Sequence, residues 1–420
     1  MTRGGETGET DTDGTGGATG DSATSTTGPG TTGLDSGSSG PGTDGSTTSP
    51  VSTSGTTGGG NCTAPWRTSV ASATLYGATL SDGRLYVVGQ NEMGAGHVAV
   101  LDPCDGTVQD AVQFGHGMNP ETVWTSAAAT VDGLFVAGRT SPGVGLWQGV
   151  MGRLDATTLA ADWTVPIDGS TQKKDHFNTI LGVSTGRLWA AGKLGEALEQ
   201  RAWFGSASPL GQACGFTWGG QAGESFVLLE GEEVIYAIVN RPADAVLLHF
   251  DPTCTCNCAP TFTSAAIAIG AVATEVFGAI RIGDNLYVVG RAFDDAMSGN
   301  ARAFVAALDA ATGTVTGQAT YDDGTLIDAM MSLATDGNAL FIGGTTKWAG
   351  VGYYGGASGH IWAYDLPLIN GAQPLWDTDL ANVEAVLDVE RDPATGHLYL
   401  TATDASQGVV IGCDDTWTCE

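Results

Sequence analysis

Basic side chains are scarce in this 420-residue chain: 16 Lys and Arg stand against 46 Asp and Glu, a net charge of −30, and charged residues make up only 15%. Phosphate backbones and anionic lipid are both gripped by clustered Lys and Arg, so no nucleic acid and no anionic membrane surface is expected as a partner. No apolar run reaches the length of about 18 residues at which a transmembrane helix becomes a candidate. Residues 1–60 lack aromatic side chains altogether and hold only five apolar ones (Met1, Ala18, Ala23, Leu34 and Val51), while Gly, Thr and Ser fill 44 of the 60 positions. Such a segment cannot bury a core. The chain is therefore read as a disordered Gly/Ser/Thr/Asp-rich tether, 1–60, ahead of a folded part, 61–420, whose apolar fraction rises to roughly 47%, ample for a globular unit. Catalytic signatures are missing too: there is no HExxH, no GxSxG elbow, no phosphate-binding Walker loop and no GxGxxG after a strand.

What the folded part does have is repetition. One apolar phrase recurs seven times, as Leu85–Gly89, Leu134–Gly138, Leu188–Gly192, Ile235–Val239, Leu286–Gly290, Leu340–Gly344 and Leu398–Ala402, at spacings of 47 to 58 residues. Periods of this size belong to propeller blades. Turn signals such as Asp82-Gly83, Asp132-Gly133, Asp336-Gly337 and Thr395-Gly396 precede the phrases and mark hairpins. A third strand follows, with Asp at a matching place in six repeats (Asp102, Asp155, Asp251, Asp309, Asp365, Asp414), and then a more polar fourth, often with Trp (Trp163, Trp218, Trp376). Seven units of four short antiparallel strands predict an all-β, seven-bladed β-propeller. The last repeat is one strand short, and Pro65–Val70 reads like the outer strand Leu375–Leu380, so residues 65–70 are expected to complete blade seven and close the ring.

The Asp-Gly-x-Leu-Tyr-Val-Val-Gly phrases and the stretch Val305–Val315 resemble bacterial seven-bladed propeller repeats of the SBBP kind and are similar to the broader PQQ-like propellers. A Gly/Ser/Thr/Asp tether ahead of such a ring resembles surface lipoproteins of Gram-negative bacteria. The resemblance spans about residues 62–420 and implies a fold rather than an activity. The Trp-docking pattern of PQQ enzymes is absent, so quinone binding does not carry over. A signal segment with a lipidated Cys is expected ahead of Met1, and the protein is expected outside the cytoplasm, at the cell surface or anchored to the outer membrane.

Comparing repeats shows an acid at the start of six first strands (Glu121, Asp175, Glu224, Glu275, Asp328, Glu384) and a base at the end of five second strands (Arg139, Lys193, Arg241, Arg291, Lys347). Blade one has Ser72 and Gln90 instead, losing both partners together. Cross-strand ion pairs within each hairpin account for this pattern; the alternative is a charged ring gripping an ionic ligand at the channel mouth. All four lysines, Lys173, Lys174, Lys193 and Lys347, fall on that same face, two of them beside Asp175 and His176.

Eight cysteines suit an oxidising compartment. Cys254, Cys256 and Cys258 are read as disulfide partners rather than a metal site, because zinc sites want two separated pairs. Cys62 is expected to pair with Cys413 or Cys419, stapling the closing strand to the blade it completes. No metal site and no cofactor are predicted beyond weak calcium binding by Asp294-Asp295 or Asp322-Asp323. Between the second and third strands of blade six, the loop Thr345–Gly359 is unusually long and rich in Gly and aromatics. Trp348, Tyr353 and Tyr354, with Lys347, are the candidate ligand contacts, and Lys173, Lys174 and His176 a second wall. The alternative is that these rings fold inward as a satellite core. The expected function is a tethered binding or scaffold module, monomeric, for a carbohydrate or protein ligand. The competing reading is a lactonase-like or glycan-cleaving propeller with its active site at the channel mouth.

Overall fold

The computed structural model describes residues 62, 65–70, 73–116, 121–143, 146–167, 174–195, 200–219, 222–295, 299–324, 326–349, 354–404 and 407–419. The chain divides into two units, Met1–Thr53 and Ser54–Glu420. The tether, 1–60, lies outside the described residues, which belong to the second unit.

Twenty-eight strands form seven four-stranded antiparallel sheets, and among the described residues there is no helix. Each sheet is one blade, its first strand innermost. These inner strands are β2 (Ala73–Ser81), β6 (Thr122–Thr130), β10 (His176–Gly182), β14 (Glu224–Glu230), β18 (Ala273–Ile282), β22 (Ile327–Thr335) and β26 (Ala385–Arg391). Each touches the inner strand of the next blade, and β26 touches β2, so the ring is closed. Blade seven takes its outer strand from the N-terminal side, β1 (Trp66–Val70), which pairs antiparallel with β28 (Gly408–Cys413) from Trp66↔Gly412 to Val70↔Gly408. The expected closure by residues 65–70 is what the ring shows.

The repeated phrase follows from this packing. Seven hydrophobic clusters fill the seven gaps between blades. Second strands have a neighbouring blade on both faces: Leu85 and Val87 pack toward blade seven, Tyr86 and Val88 toward blade two. Side chains alternate across a strand, so both sets must be apolar and the run becomes continuous. Turn residues behave as read; Asp82 and Gly83 carry the two positive φ values (50° and 70°) of a tight hairpin.

The glycine ending the phrase has a different cause. Every inner strand carries a β-bulge at the same place, between Leu75/Gly77, Trp124/Ser126, Phe177/Thr179, Ser225/Val227, Val276/Gly278, Met330/Ser332 and Val386/Asp388. The bulge drives a carbonyl of the inner strand over the second strand. A Cβ on Gly89, Gly138, Gly192, Gly290 or Gly344 would lie 1.8 to 2.1 Å from the oxygen of Thr74, Val123, His176, Glu275 or Ala329. In these five blades a side chain would force the two strands to shift. Blades four and seven carry Val239 and Ala402 at this position, and nothing in the structure explains how they manage it.

The third-strand aspartates are turn fasteners. Asp155 accepts hydrogen bonds from the backbone and hydroxyl of Thr158, Asp309 from those of Thr312, and Asp414 from Thr416 and the backbone of Thr418. They sit at the face opposite the channel mouth.

The disulfides correct one expectation. Cys62 pairs with Cys104, and Cys413 with Cys419, so Cys62 is bonded to neither predicted partner. The reason is where β1 lies. The Trp66 indole donates to the Pro103 carbonyl and the Thr68 hydroxyl to that of Gly106, which seats the closing strand on the turn 102–107 of blade one. The nearest cysteine to Cys62 is then across the seam, in blade one. Cys413 instead closes the short C-terminal turn onto Cys419. The remaining bridges are Cys254–Cys258 and Cys214–Cys256, the latter tying blade three to blade four, and no cysteine is free.

Candidate functional site: the channel mouth and the chamber below it

A β-bulge leaves one residue out of the ladder. Here the seven extra residues are Tyr76, Thr125, Asn178, Phe226, Phe277, Met331 and Leu387, and all seven line the central channel. Together with Arg291, Trp348 and Tyr354 they line a vestibule of about 320 Å³ at the mouth. Two of the three aromatics singled out in the blade-six loop are therefore at the mouth. Tyr353 lies outside the described residues.

The Trp348 and Tyr354 rings lie 5.1 Å apart, tilted by 44°. The loop backbone is held in a sparsely populated conformation at Lys347 (φ 60°) and Tyr354 (φ 54°), unusual for residues with large side chains. Arg291 locks the other side of the tryptophan. Its guanidinium lies 5.5 Å from the Trp348 ring centre, 5.4 Å from Phe277 and 5.2 Å from Phe293, and its Nε donates to Glu275 at 2.6 Å. Cation–π contacts plus an ion pair fix four groups at once. The indole N–H of Trp348 is buried and has no acceptor among the described residues.

Below the bulges the channel narrows into a chamber of about 190 Å³. Its walls carry the residue after each bulge: Gly77, Ser126, Thr179, Val227, Gly278, Ser332 and Asp388. Asp388 accepts from the Ser332 hydroxyl (2.7 Å), the Ala78 amide (2.8 Å) and the Val389 amide (3.0 Å). Burial pushes its carboxyl above the usual range, and Glu390, two residues on, is pushed well above it by burial and by the Asp388 charge.

The rim charges depart from the predicted hairpin pairing. Among the described residues Glu275 and Arg291 form it. Lys193 reaches Glu224 of the next blade (3.5 Å), Lys347 reaches Asp379 (3.5 Å), Arg241 reaches Asp244 (2.5 Å), and Arg139 lies 4.3 Å over the Trp147 ring. Asp175 and Asp328, fully buried, accept backbone N–H bonds instead, from Gly195 and from Asp323 and Lys347. In these two blades the acid at the strand start fastens the backbone at the end of the second strand, through Gly195 and through Lys347 itself.

The second predicted wall is dispersed. Lys173 lies outside the described residues, and Lys174 is exposed in a bridge to Trp147. His176 joins a closed polar knot: its Nε2 is 2.9 Å from Glu224, which also accepts from Asn178 and Gln200, each at 2.9 Å. Burial alone would raise the Glu224 carboxyl, but the hydrogen bonds and the His176 and Lys193 charges bring it down to about 2. Burial lowers His176. Neither His176 nor Lys347 lines the vestibule. At the outer rim Asp322, Asp323 and Asp328 lie close enough, within 4.8 Å, to share a cation. Burial pushes Asp328 up to about 6, with the neighbouring Asp322 and Asp323 charges adding to this. The pair Asp294-Asp295 is not part of that group.

Sequence reading missed the bulge residues and Asp388, and had Arg291 at the mouth as one of the repeated rim bases. A signal was present in five of the seven repeats, where the phrase-ending glycine lies beside the bulge of the inner strand.

No family model matches the chain, and no curated protein matches it. Among solved structures, a chain of the mitotic checkpoint complex superposes with a TM-score of 0.53 at 14% identity, over 83% of this chain and 90% of that one. A quinohemoprotein alcohol dehydrogenase from Pseudomonas putida HK5 gives a TM-score of 0.49 at 10% identity, over 82% and 67%. At such identity the first likeness shows a shared propeller fold.

Proposed function

We propose that this propeller is an exported, tethered binding module of the cell surface whose ligand seats at the channel mouth. The observation that carries the reading is the vestibule: Trp348 and Tyr354 line a cavity of about 320 Å³ at the mouth together with Phe277 and Arg291. Export is supported by the pairing of all eight cysteines, which suits an oxidising compartment. The chain of the mitotic checkpoint complex is an instance of this architecture within a protein assembly, and propeller mouths in general present loops from every blade to one point. Against the enzyme reading, Glu224, Glu275 and Asp379 at the rim are each engaged by partners of this chain. Replacing Trp348 and Tyr354 together by Ala tests the site, with glycan and peptide screening of both proteins. Lost binding with an unchanged melting temperature is the expected result. A large drop in melting temperature with binding intact would show the rings to be core.

A further inference from the structure

We infer that the chamber beneath the mouth receives the cationic end of the ligand, a protonated amine carried on a flat apolar body that rests in the vestibule. This deepens the reading of the mouth as a binding site and rests on it. The starting point is a comparison that the seven blades make possible. Ser126, one residue past its bulge, accepts the amide N–H of Ile180 in the next blade (3.3 Å), and Ser332 accepts that of Val389 in the next (3.2 Å). Asp388, at the same position in blade seven, accepts the equivalent N–H of Ala78 in blade one. Serine therefore does this structural task elsewhere in the ring. The carboxylate charge of Asp388 is surplus to it.

That charge meets no base. Among the residues lining the chamber, Asp388 is the single Asp, Glu, Lys or Arg. Its three donors are a hydroxyl and two amides, and a carboxylate offers about four lone-pair sites, so one remains. Glu390 lies on the same face of β26, two residues further along, and burial and the Asp388 charge push its carboxyl well above the usual range. Arg291 belongs to the vestibule above, and Glu275 already neutralises it. Burial makes both carboxyls costly to ionise, a cost that an ammonium group would relieve. Size divides the ligand in the same way: about 190 Å³ holds a head group, while the vestibule above offers Trp348, Tyr354 and Phe277 to a ring. The net charge of −30 draws cations to the protein in general.

The test titrates the full chain at neutral pH with 2-phenylethylamine and its neutral counterpart 2-phenylethanol, by calorimetry and by thermal shift. The amine should bind about tenfold or more tightly than the alcohol, the usual advantage of a charge-assisted hydrogen bond. Asp388→Ser, which installs the residue of the equivalent blades, should abolish that preference and leave the alcohol unaffected. Trp348→Ala should weaken both probes. Equal affinities in the unaltered protein, or a preference that survives Asp388→Ser, would overturn the inference while leaving the mouth reading intact. Should Asp388→Ser fail to fold, the two probes on the unaltered protein still decide. If neither probe binds, the amine inference falls, and the mouth reading stands or falls on the glycan and peptide screen.

Discussion

Gly290 shows how one position can carry information about its neighbour rather than itself. Its φ is unremarkable; what excludes a side chain is the Glu275 carbonyl, 1.8 Å from where a Cβ would stand. Gly290→Ala must shift one strand or flatten the bulge, at a cost of about 1 to 3 kcal/mol typical of overpacking. Urea denaturation should show the loss as a lower midpoint, and an unchanged midpoint would mean that the bulge carbonyl does not dictate glycine there. Glu224 carries a prediction of opposite character. Its carboxyl falls to about 2 in the folded chain, so the stability it contributes is complete above the ordinary carboxylate range and is lost as pH falls toward 2. Glu224→Gln should therefore cost on the order of 2 kcal/mol at pH 7, with the difference shrinking on acidification. A pH-independent difference would point to packing as the cause.

At the scale of elements, hairpins and blades were legible because their cause is local and periodic. Asp82-Gly83 demands a tight turn, and the run Leu85–Gly89 demands cover on both faces; both can be read without knowing the neighbours. The position of Trp348 and Tyr354 at the mouth was legible from the length of their loop, whereas the choice between ligand contact and satellite core was not. The bulge ring was not, because Tyr76, Asn178 and Leu387 share no residue type; only their backbone position is common. Asp388 was hidden in the same way. The rim charges were misread because co-variation of acid and base looks identical whether the two touch or one fastens the other's loop, and Asp175 and Asp328 do the latter. The Cys62 pairing failed on three-dimensional grounds: β1 completes blade seven yet leans on the 102–107 turn of blade one, and sequence adjacency to blade seven says nothing of that second contact.

For the whole molecule the decisive place is the seam between blades seven and one. Every other blade is continuous in sequence, so six junctions are held by the chain itself as well as by packing. The seventh is held by β1 on β28, by the Trp66 and Tyr399 rings 6.1 Å apart in the cluster that bridges the two blades, and by the Cys62–Cys104 bond. That bond closes a segment of 42 residues, worth about 4 kcal/mol in the loop-entropy account. Removing residues 1–58 leaves all three elements of the seam in place and should leave the melting temperature nearly unchanged. Replacing Cys62 and Cys104 together by Ser removes the bond but keeps the strand, and should lower stability by an amount of the order of that loop term. Removing residues 1–72 takes away β1 as well, exposes the edge of β28 and uncovers Tyr399. That truncation should melt far lower than the double serine variant and show the concentration-dependent association that an unpaired edge strand invites. If it instead melts like the serine variant and stays monodisperse, the disulfide rather than the strand is what closes the ring.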